Sequence, residues 1–207
     1  MRVLCIGDSN TWGYLPNGKR TEQRWTKILN KKYEILEEGL NGRYIYSMDK
    51  GRKNLSLSHT LEKILLKHNK VDLVLFMLGT NDFSISENKT VENIIEEINK
   101  IFNYTKEYYV SNLGYEPFIF FVTPPTINKD ILNRGIVFGD FDKTSYDKCL
   151  SFNRKIEKFT YESNPDVYVI NTNKYIETDS FDCIHLTEKE HNLLANILEK
   201  NIKNIME

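Results

Sequence analysis

The chain has 207 residues, and its 28 Lys and Arg against 29 Asp and Glu give a net charge of −1. This balance offers no basic field for nucleic acid, so no nucleic-acid partner is expected. Hydrophobic residues make up 40% of the chain, which is typical of a folded globular protein. No apolar run approaches the roughly 18 residues of a membrane span, so no membrane partner is expected. Because no second core is indicated, we expect a single domain over residues 1–207.

The cysteine content indicates the compartment in which the protein works. Only three cysteines are present, Cys5, Cys149 and Cys183. An odd and low count argues against a disulfide framework and favours a reducing environment. The N-terminal apolar run, residues 3–6, is too short for the core of a signal peptide. We therefore expect a cytoplasmic protein.

Short apolar runs alternate along the chain with longer segments of helical spacing. The runs predict five strands, at residues 3–6, 33–36, 73–78, 118–122 and 167–170. Between the third and fourth strands, residues 91–102 place their apolar side chains on one face of a helix. The last helix is predicted to begin near Thr187, because Thr187 and Glu190 match a capping box.

This alternation implies right-handed crossovers and a parallel sheet that is covered on both faces. We therefore predict an α/β protein with a three-layer α/β/α fold and a five-stranded parallel sheet in flavodoxin-like order. The longest stretch without clear periodicity is residues 123–142. Loops of that length are often functional, and this one is expected to form a wall or a lid of the site.

Polar residues follow four of the predicted strands. They lie in residues 7–13, 38–43, 79–82 and 182–185. In an open parallel sheet, ligands bind beyond the carboxyl ends of the strands. Four loops at one edge of the sheet are thus expected to supply a hydroxyl, glycine N–H groups, an amide, a carboxylate and an imidazole.

These are the groups that an acyl-transfer site needs. A serine hydroxyl such as that of Ser9 is a poor nucleophile at neutral pH, and the imidazole of His185 is suited to act as its base. A carboxylate such as Asp182, three residues before His185, fixes the tautomer of the imidazole. Glycine N–H groups and the Asn81 amide are neutral donors for the oxyanion of the intermediate.

The segments that carry these residues resemble a known family. GDSNTWG, EEGLNGR, LGTND and DCIHL are similar in order and spacing to the four sequence blocks of the SGNH hydrolases, the GDSL-type esterase and lipase superfamily. The similarity is greatest to its arylesterase and acyltransferase-like branch. The resemblance implies Ser9 as nucleophile, His185 as general base and acid, and Asp182 as the orienting carboxylate. It also implies an α/β/α fold and an oxyanion hole formed by the N–H groups of Ser9 and Gly42 and the side chain of Asn81.

The sequence departs from the pattern of that family at a few positions. Asn10 stands where Leu is usual, and Cys183 stands where Gly is common. Tyr44 and Ile45 follow Arg43, where the most similar branch often has two Thr. None of these departures changes a catalytic residue type.

The residues and the resemblance together predict a serine esterase that needs no cofactor. It is expected to hydrolyse, or to transfer, short acyl groups such as acetyl from small-molecule esters through an acyl-enzyme. Carbohydrate O-deacetylation and short-chain lipase or thioesterase activity remain open, as does assembly into a homo-oligomer. Trp12, three residues after Ser9, either binds substrate in the acyl pocket or packs against the first helix.

Other functions account for less of the sequence. Residues 13–19 match most of a phosphate-binding loop, but Arg20 stands where Ser or Thr would bind magnesium, and Pro16 removes an N–H. A flavin or phosphate-binding module would use residues 9–11 at a helix N-terminus and leave Asn81, Asp182 and His185 unexplained. A metal site is not expected, because paired Cys-x-x-Cys and His-Glu-x-x-His motifs are absent.

Three further residues carry structural expectations. Asp8 is expected to hold the loop of Ser9 by hydrogen bonds. Arg43 is expected to pair with an acidic neighbour such as Asp49. His191, on the last helix, is expected to face solvent.

Overall fold

The computed structural model describes residues 1–206, in which strands and helices alternate as predicted. The strands are β1 (Arg2–Gly7), β2 (Glu34–Gly39), β3 (Leu73–Met77), β4 (Phe118–Val122) and β5 (Val167–Ile170). The α-helices are α1 (Ser9–Trp12), α2 (Trp25–Leu29), α3 (Leu57–Lys67), α4 (Val91–Leu113), α5 (Lys143–Ser163) and α6 (Glu188–Met206). Short 3₁₀ helices cover Lys50–Leu55, Asn81–Phe83 and Lys129–Asn133.

The five strands form one parallel sheet. Their order is β2-β1-β3-β4-β5, and each neighbouring pair is parallel. This is the flavodoxin-like order, so the predicted α/β/α architecture is confirmed. The second strand ends three residues later than its apolar run indicates, because the polar residues 37–39 continue its ladder with β1.

The two faces of the sheet contribute to two apolar cores. Along β1, Leu4 and Ile6 contribute to the core that α3, α4 and α5 cover. Val3 and Cys5 point the other way, into the core that α2 and α6 cover. This division follows from the alternation of side chains along a strand. The face predicted for residues 91–102 is confirmed, since the apolar side chains of that part of α4 are buried.

Helix α1 lies unusually close to the ends of two strands. A Cβ atom on Gly7 would lie 1.9 Å from the Thr11 side-chain oxygen, and one on Gly39 would lie 2.5 Å from the backbone nitrogen of Trp12. Neither position has room for a side chain. These two glycines therefore allow α1 to begin directly at the end of β1, which places Ser9 at the carboxyl edge of the sheet.

The helices of the described residues do not include one that is both long and apolar enough to cross a membrane. All three cysteines are buried and free.

The expectation that His191 faces solvent is wrong. Its side chain is fully buried, and neither ring nitrogen has a hydrogen-bond partner within residues 1–206. The reason is helical spacing, because His191 lies on the same face of α6 as the buried Leu194, Ala195 and Leu198. Burial lowers the pKa of His191 to about 4, and the charges of His185 and Arg24 act in the same direction.

We expect His191 to make the stability of the protein depend on pH. The unfolded chain binds a proton at His191 near pH 6.5, whereas the folded protein does so only near pH 4. Stability is therefore lost as the pH falls from 6.5 towards 4, by about 2 kcal/mol between pH 7 and pH 5. His191→Leu should remove this loss, as measured by urea unfolding at the two pH values.

The comparison isolates His191 from other titrating groups. Burial raises the pKa of Asp8 to about 6, which acts with the opposite sign, but Asp8 is present in both proteins. A change in packing caused by His191→Leu shifts the free energy of unfolding at both pH values alike. Equal pH dependence in wild type and variant would contradict the prediction.

Candidate active site

Three polar side chains from distant parts of the chain meet at the carboxyl edge of the sheet. The Ser9 hydroxyl oxygen lies 3.0 Å from Nε2 of His185, although the two residues are 176 positions apart. On the other side of the ring, Nδ1 of His185 lies 2.8 Å from Oδ2 of Asp182. All three residues are buried. The structure therefore brings the predicted hydroxyl, imidazole and carboxylate into one continuous hydrogen-bonded path.

The spacing between Asp182 and His185 follows from a turn that Asp182 itself stabilises. Its Oδ1 accepts hydrogen bonds from the backbone N–H groups of Ile184 and His185, both at 2.9 Å. This leaves Oδ2 for the ring of His185. Burial raises the pKa of Asp182, but the hydrogen bonds and charge of His185 outweigh that effect and hold it below its usual value. An ionised Asp182 accepts a hydrogen bond from the N–H at Nδ1 of His185, which keeps the proton on Nδ1, so Nε2 is free to accept a hydrogen bond from the Ser9 hydroxyl.

Asp8 holds the start of α1, as expected. Its carboxylate accepts a hydrogen bond of 2.9 Å from the backbone N–H of Asn10, which is the geometry of a helix N-cap. The cap fixes the first turn of α1 and thereby the position of Ser9.

The predicted oxyanion donors also meet at one place. Ser9, Gly42 and Asn81 line the same cavity of about 310 Å³. Ser9 is the first residue of α1, and the first N–H groups of a helix have no acceptor within it. Asn81 donates one amide hydrogen to the carbonyl of Arg43 at 3.0 Å, which leaves its second amide hydrogen available.

Aromatic side chains form much of the remaining wall of this cavity. The ring of Tyr14 lies 4.5 Å from the ring of His185, measured between centroids, and the ring of Phe138 lies 5.4 Å from it. Trp12 does not line the cavity, and its ring lies beneath the guanidinium group of Arg20. The reason is that Gly13, with φ of 91°, ends α1 and turns the chain. Tyr14, which the sequence did not single out, lines the cavity in the place that one of the two alternatives gave to Trp12.

The long loop of residues 123–142 forms a wall of the cavity. After the short helix Lys129–Asn133, a tight turn joins Val137 to Phe141. Phe138 and Gly139 have φ of 47° and 68°, as the central residues of tight hairpin turns do. This turn presents the ring of Phe138 to His185.

Two buried charged residues support the loop that carries Gly42. Arg43 does not pair with Asp49; it donates to the backbone carbonyls of Gly7, at 3.0 Å, and of Glu38. These carbonyls lie at the ends of β1 and β2, so Arg43 ties both strand ends together. Sequence reasoning missed these partners because backbone carbonyls carry no sequence signal.

Asp82 acts on the same loop from the other side. It accepts a hydrogen bond of 2.9 Å from the N–H of Ile45 and pairs with Lys89 at 2.7 Å. Burial raises its pKa, and Lys89 opposes that shift. Asp82 is adjacent to Asn81 in the short helix Asn81–Phe83. This helix therefore supplies the Asn81 amide to the cavity and also holds the loop that follows Gly42.

The phosphate-binding loop that residues 13–19 suggest is not supported. Residues 13–19 do not join a strand to a helix; they follow α1 and form a hairpin closed by a bridge between Tyr14 and Arg20. Across the part of the chain that the structure describes, no cluster of three His, Cys, Asp or Glu side chains could hold a metal ion.

Comparisons with known proteins identify a family and proteins of similar structure. The sequence model of one family, described as GDSL-like Lipase/Acylhydrolase, matches residues 3–198. The structure is similar to Est24, a carbohydrate acetylesterase from Sinorhizobium meliloti, with 27% identity, a TM-score of 0.84 and 99% of each chain covered. It is also similar to the native aryl esterase of M. smegmatis, with 26% identity, a TM-score of 0.86 and 99% of each chain covered.

A further structure shares the fold. It is a carbohydrate acetylesterase family member from Sinorhizobium meliloti, with 24% identity, a TM-score of 0.86, and 98% of this chain and 97% of that chain covered. The sequence matches no curated protein.

Proposed function

The chain belongs to the family of GDSL-like lipases and acylhydrolases and is a serine esterase that acts on acyl esters, and we propose that Ser9, His185 and Asp182 are its catalytic triad. The family confirms the resemblance seen in the sequence. The observation that carries the assignment of residues is the unbroken path from the Ser9 hydroxyl through His185 to Asp182, with steps of 3.0 and 2.8 Å.

In the first half of the proposed reaction, Ser9 attacks the carbonyl carbon of the ester. His185 takes the hydroxyl proton on Nε2 as the new C–O bond forms, and ionised Asp182 stabilises the resulting imidazolium. The carbonyl oxygen becomes an oxyanion. It accepts hydrogen bonds from the N–H groups of Ser9 and Gly42 and from the free amide hydrogen of Asn81.

In the second half, the intermediate loses the alcohol and leaves an acyl group on Ser9. The proton on His185 goes to the departing alkoxide oxygen, so the alcohol leaves neutral. His185 then takes a proton from water as the water oxygen attacks the carbonyl carbon of the acyl-enzyme. The bond from that carbon to the Ser9 oxygen breaks, His185 returns the proton to the Ser9 oxygen, and the acid is released. An alcohol that replaces this water would receive the acyl group instead. No cofactor is required for any of these steps.

We propose small-molecule esters of short acyl chains, such as acetyl, as substrates. The cavity of about 310 Å³ is at the lower end of the range for small-molecule sites. Tyr14, Phe138 and Phe141 limit its width. The description of Est24 as a carbohydrate acetylesterase supports an acetyl group and keeps carbohydrate O-deacetylation as a second candidate.

We further propose a cytoplasmic location and assembly into a homo-oligomer. The three free cysteines support a reducing compartment. Exposed apolar side chains in the 123–142 loop, including Leu132, Ile136 and Phe138, support contact with a second copy of the chain.

The assignment of the nucleophile is tested by labelling. A fluorophosphonate should modify wild type at Ser9, as mapped by mass spectrometry, because His185 activates only this hydroxyl. Ser9→Ala should remove both the label and the hydrolysis of p-nitrophenyl acetate while its thermal unfolding remains cooperative. Ser84→Ala, which changes a buried serine outside the cavity, serves as the matched control and should keep both. A label on another residue would contradict the assignment.

The oxyanion role of Asn81 is tested by Asn81→Ala. Loss of one oxyanion donor is expected to lower kcat by about 10²–10³-fold, because the lost hydrogen bond strengthens as charge develops in the transition state. KM should change little. Steady-state kinetics with p-nitrophenyl acetate measure both constants. A rise in KM at unchanged kcat would instead mean that Asn81 binds the ground state and the transition state equally.

The proposed acyl specificity is tested with p-nitrophenyl esters of increasing chain length. The ratio kcat/KM should fall at least about tenfold from acetyl to octanoyl, because the aromatic walls exclude the longer chain. Phe138→Ala removes one wall and should recover part of the activity on octanoyl. Highest activity on octanoyl in wild type would reject the short-chain proposal.

A further inference from the structure

The side chain of Asn10 forms hydrogen bonds on both sides of His185. Its Nδ2 donates to the carbonyl of Ile184 at 3.2 Å, and its Oδ1 accepts from the N–H of Leu186 at 3.0 Å. Asn10 is completely buried. The side-chain amide of Asn10, the residue next to Ser9, is therefore hydrogen-bonded to both residues that flank His185.

These contacts are the main polar link between α1 and the loop of His185. Within residues 1–206, three hydrogen bonds join α1 to the segment 179–186. One is the contact between Ser9 and His185 itself, and Asn10 makes the other two. The contact that the reaction uses is thus flanked by two that the reaction leaves intact.

The loop of His185 is otherwise anchored to different parts of the molecule. The carbonyl of Cys183 accepts from the N–H of Asn128 at 3.0 Å and from the hydroxyl of Thr178 at 2.6 Å. The N–H of Asp179 donates to the carbonyl of His185 at 2.8 Å. These contacts hold the loop to itself and to the segment after β4, and they do not set its distance from α1.

The backbone of this loop is also strained. Cys183 has φ of 67°, in the left-handed region that residues with a side chain rarely adopt. Such a conformation persists only where surrounding contacts hold it. The contacts around this loop, those of Asn10 among them, therefore hold a backbone conformation that would otherwise be unfavourable.

Asn10 is itself held rigidly. Its N–H donates to Asp8 at 2.9 Å, and its carbonyl accepts from the indole N–H of Trp25 at 3.2 Å. The side chain must present one donor to a carbonyl and one acceptor to an N–H, and an amide does both. Leu would do neither, and an ionised Asp would place a negative oxygen against the carbonyl of Ile184.

We propose that Asn10 is a positioning residue that sets the alignment of His185 Nε2 with the Ser9 hydroxyl, an inference that rests on the proposed function. Asn10 does not touch the reacting atoms. Its effect is to hold α1 and the loop of His185 at the separation at which the proton can move from Ser9 to His185.

The first test is Asn10→Leu. A misaligned base slows the proton transfer without changing the cavity, so kcat on p-nitrophenyl acetate should fall about 10²-fold while KM stays within about twofold. The rate of fluorophosphonate labelling at Ser9 should fall in parallel. Asn164→Leu is the matched control, because Asn164 is a buried amide before β5, at the opposite edge of the sheet, and donates to Asn99 at 3.0 Å. It should keep the wild-type kcat.

The second test is Asn10→Asp, which remains informative if Asn10→Leu does not fold. A protonated carboxyl can donate to Ile184 and accept from Leu186, as the amide does, whereas the ionised form cannot. The ratio of its kcat to that of wild type should therefore rise at least about tenfold from pH 8.5 to pH 6. Taking the ratio at each pH removes the pH dependence that both proteins share. If Asn10 only stabilised the fold, lowering the pH would not raise the kcat of Asn10→Asp relative to that of wild type.

The outcomes separate the inference from the proposed function. If wild type is active and labelled at Ser9, but Asn10→Leu keeps its kcat within about twofold, the positioning role of Asn10 is wrong. A ratio for Asn10→Asp that does not change with pH would overturn it as well. If wild type itself is neither active nor labelled at Ser9, the proposed function fails first and the inference fails with it.

Discussion

The close approach of α1 to the ends of β1 and β2 is the constraint on which the site depends. It requires a residue without a side chain at both Gly7 and Gly39, since a Cβ at either position would collide with α1. Given that approach, Ser9 begins its helix immediately after the strand, and its N–H and its hydroxyl both reach the carboxyl edge of the sheet. The parallel order of the strands then brings the other loops to the same edge.

Around that edge, buried polar groups satisfy one another and thereby fix the geometry. Asp8 caps α1, Arg43 joins two strand ends, and Asp82 holds the loop that follows Gly42. In a low-dielectric interior such hydrogen bonds are strong, and an unmatched group is costly. The side chains of the proposed triad thus owe their positions to a framework of residues outside that triad. His191 is the contrast, because it is buried within electrostatic reach of His185 and has no hydrogen-bond partner among residues 1–206.

The sequence predicted the strands and the triad because both depend on local signals. Apolar runs mark buried strands, and the side chains that follow them must converge once the strands are parallel. The sequence did not predict the burial of His191. The residue pattern of α6 is the same whether a polar residue at the border of its apolar face is buried in the core or exposed to solvent. Nor did the sequence identify Tyr14 as a residue of the cavity wall. Trp12 and Tyr14 are both aromatic and lie close together in the chain, and the turn at Gly13 decides which of them faces the cavity. The partners of Arg43 are backbone atoms, which no residue pattern reveals.

The double use of Asp182 has a consequence for how such a protein can evolve. One oxygen shapes the turn that contains His185, and the other orients the ring of that histidine. Adding a single methylene would displace both oxygens at once, so Glu at this position would disturb the turn and the orientation of the ring together. A lineage that keeps the reaction has therefore little freedom at this position, whereas the walls of the cavity can diversify residue by residue and change which esters are accepted.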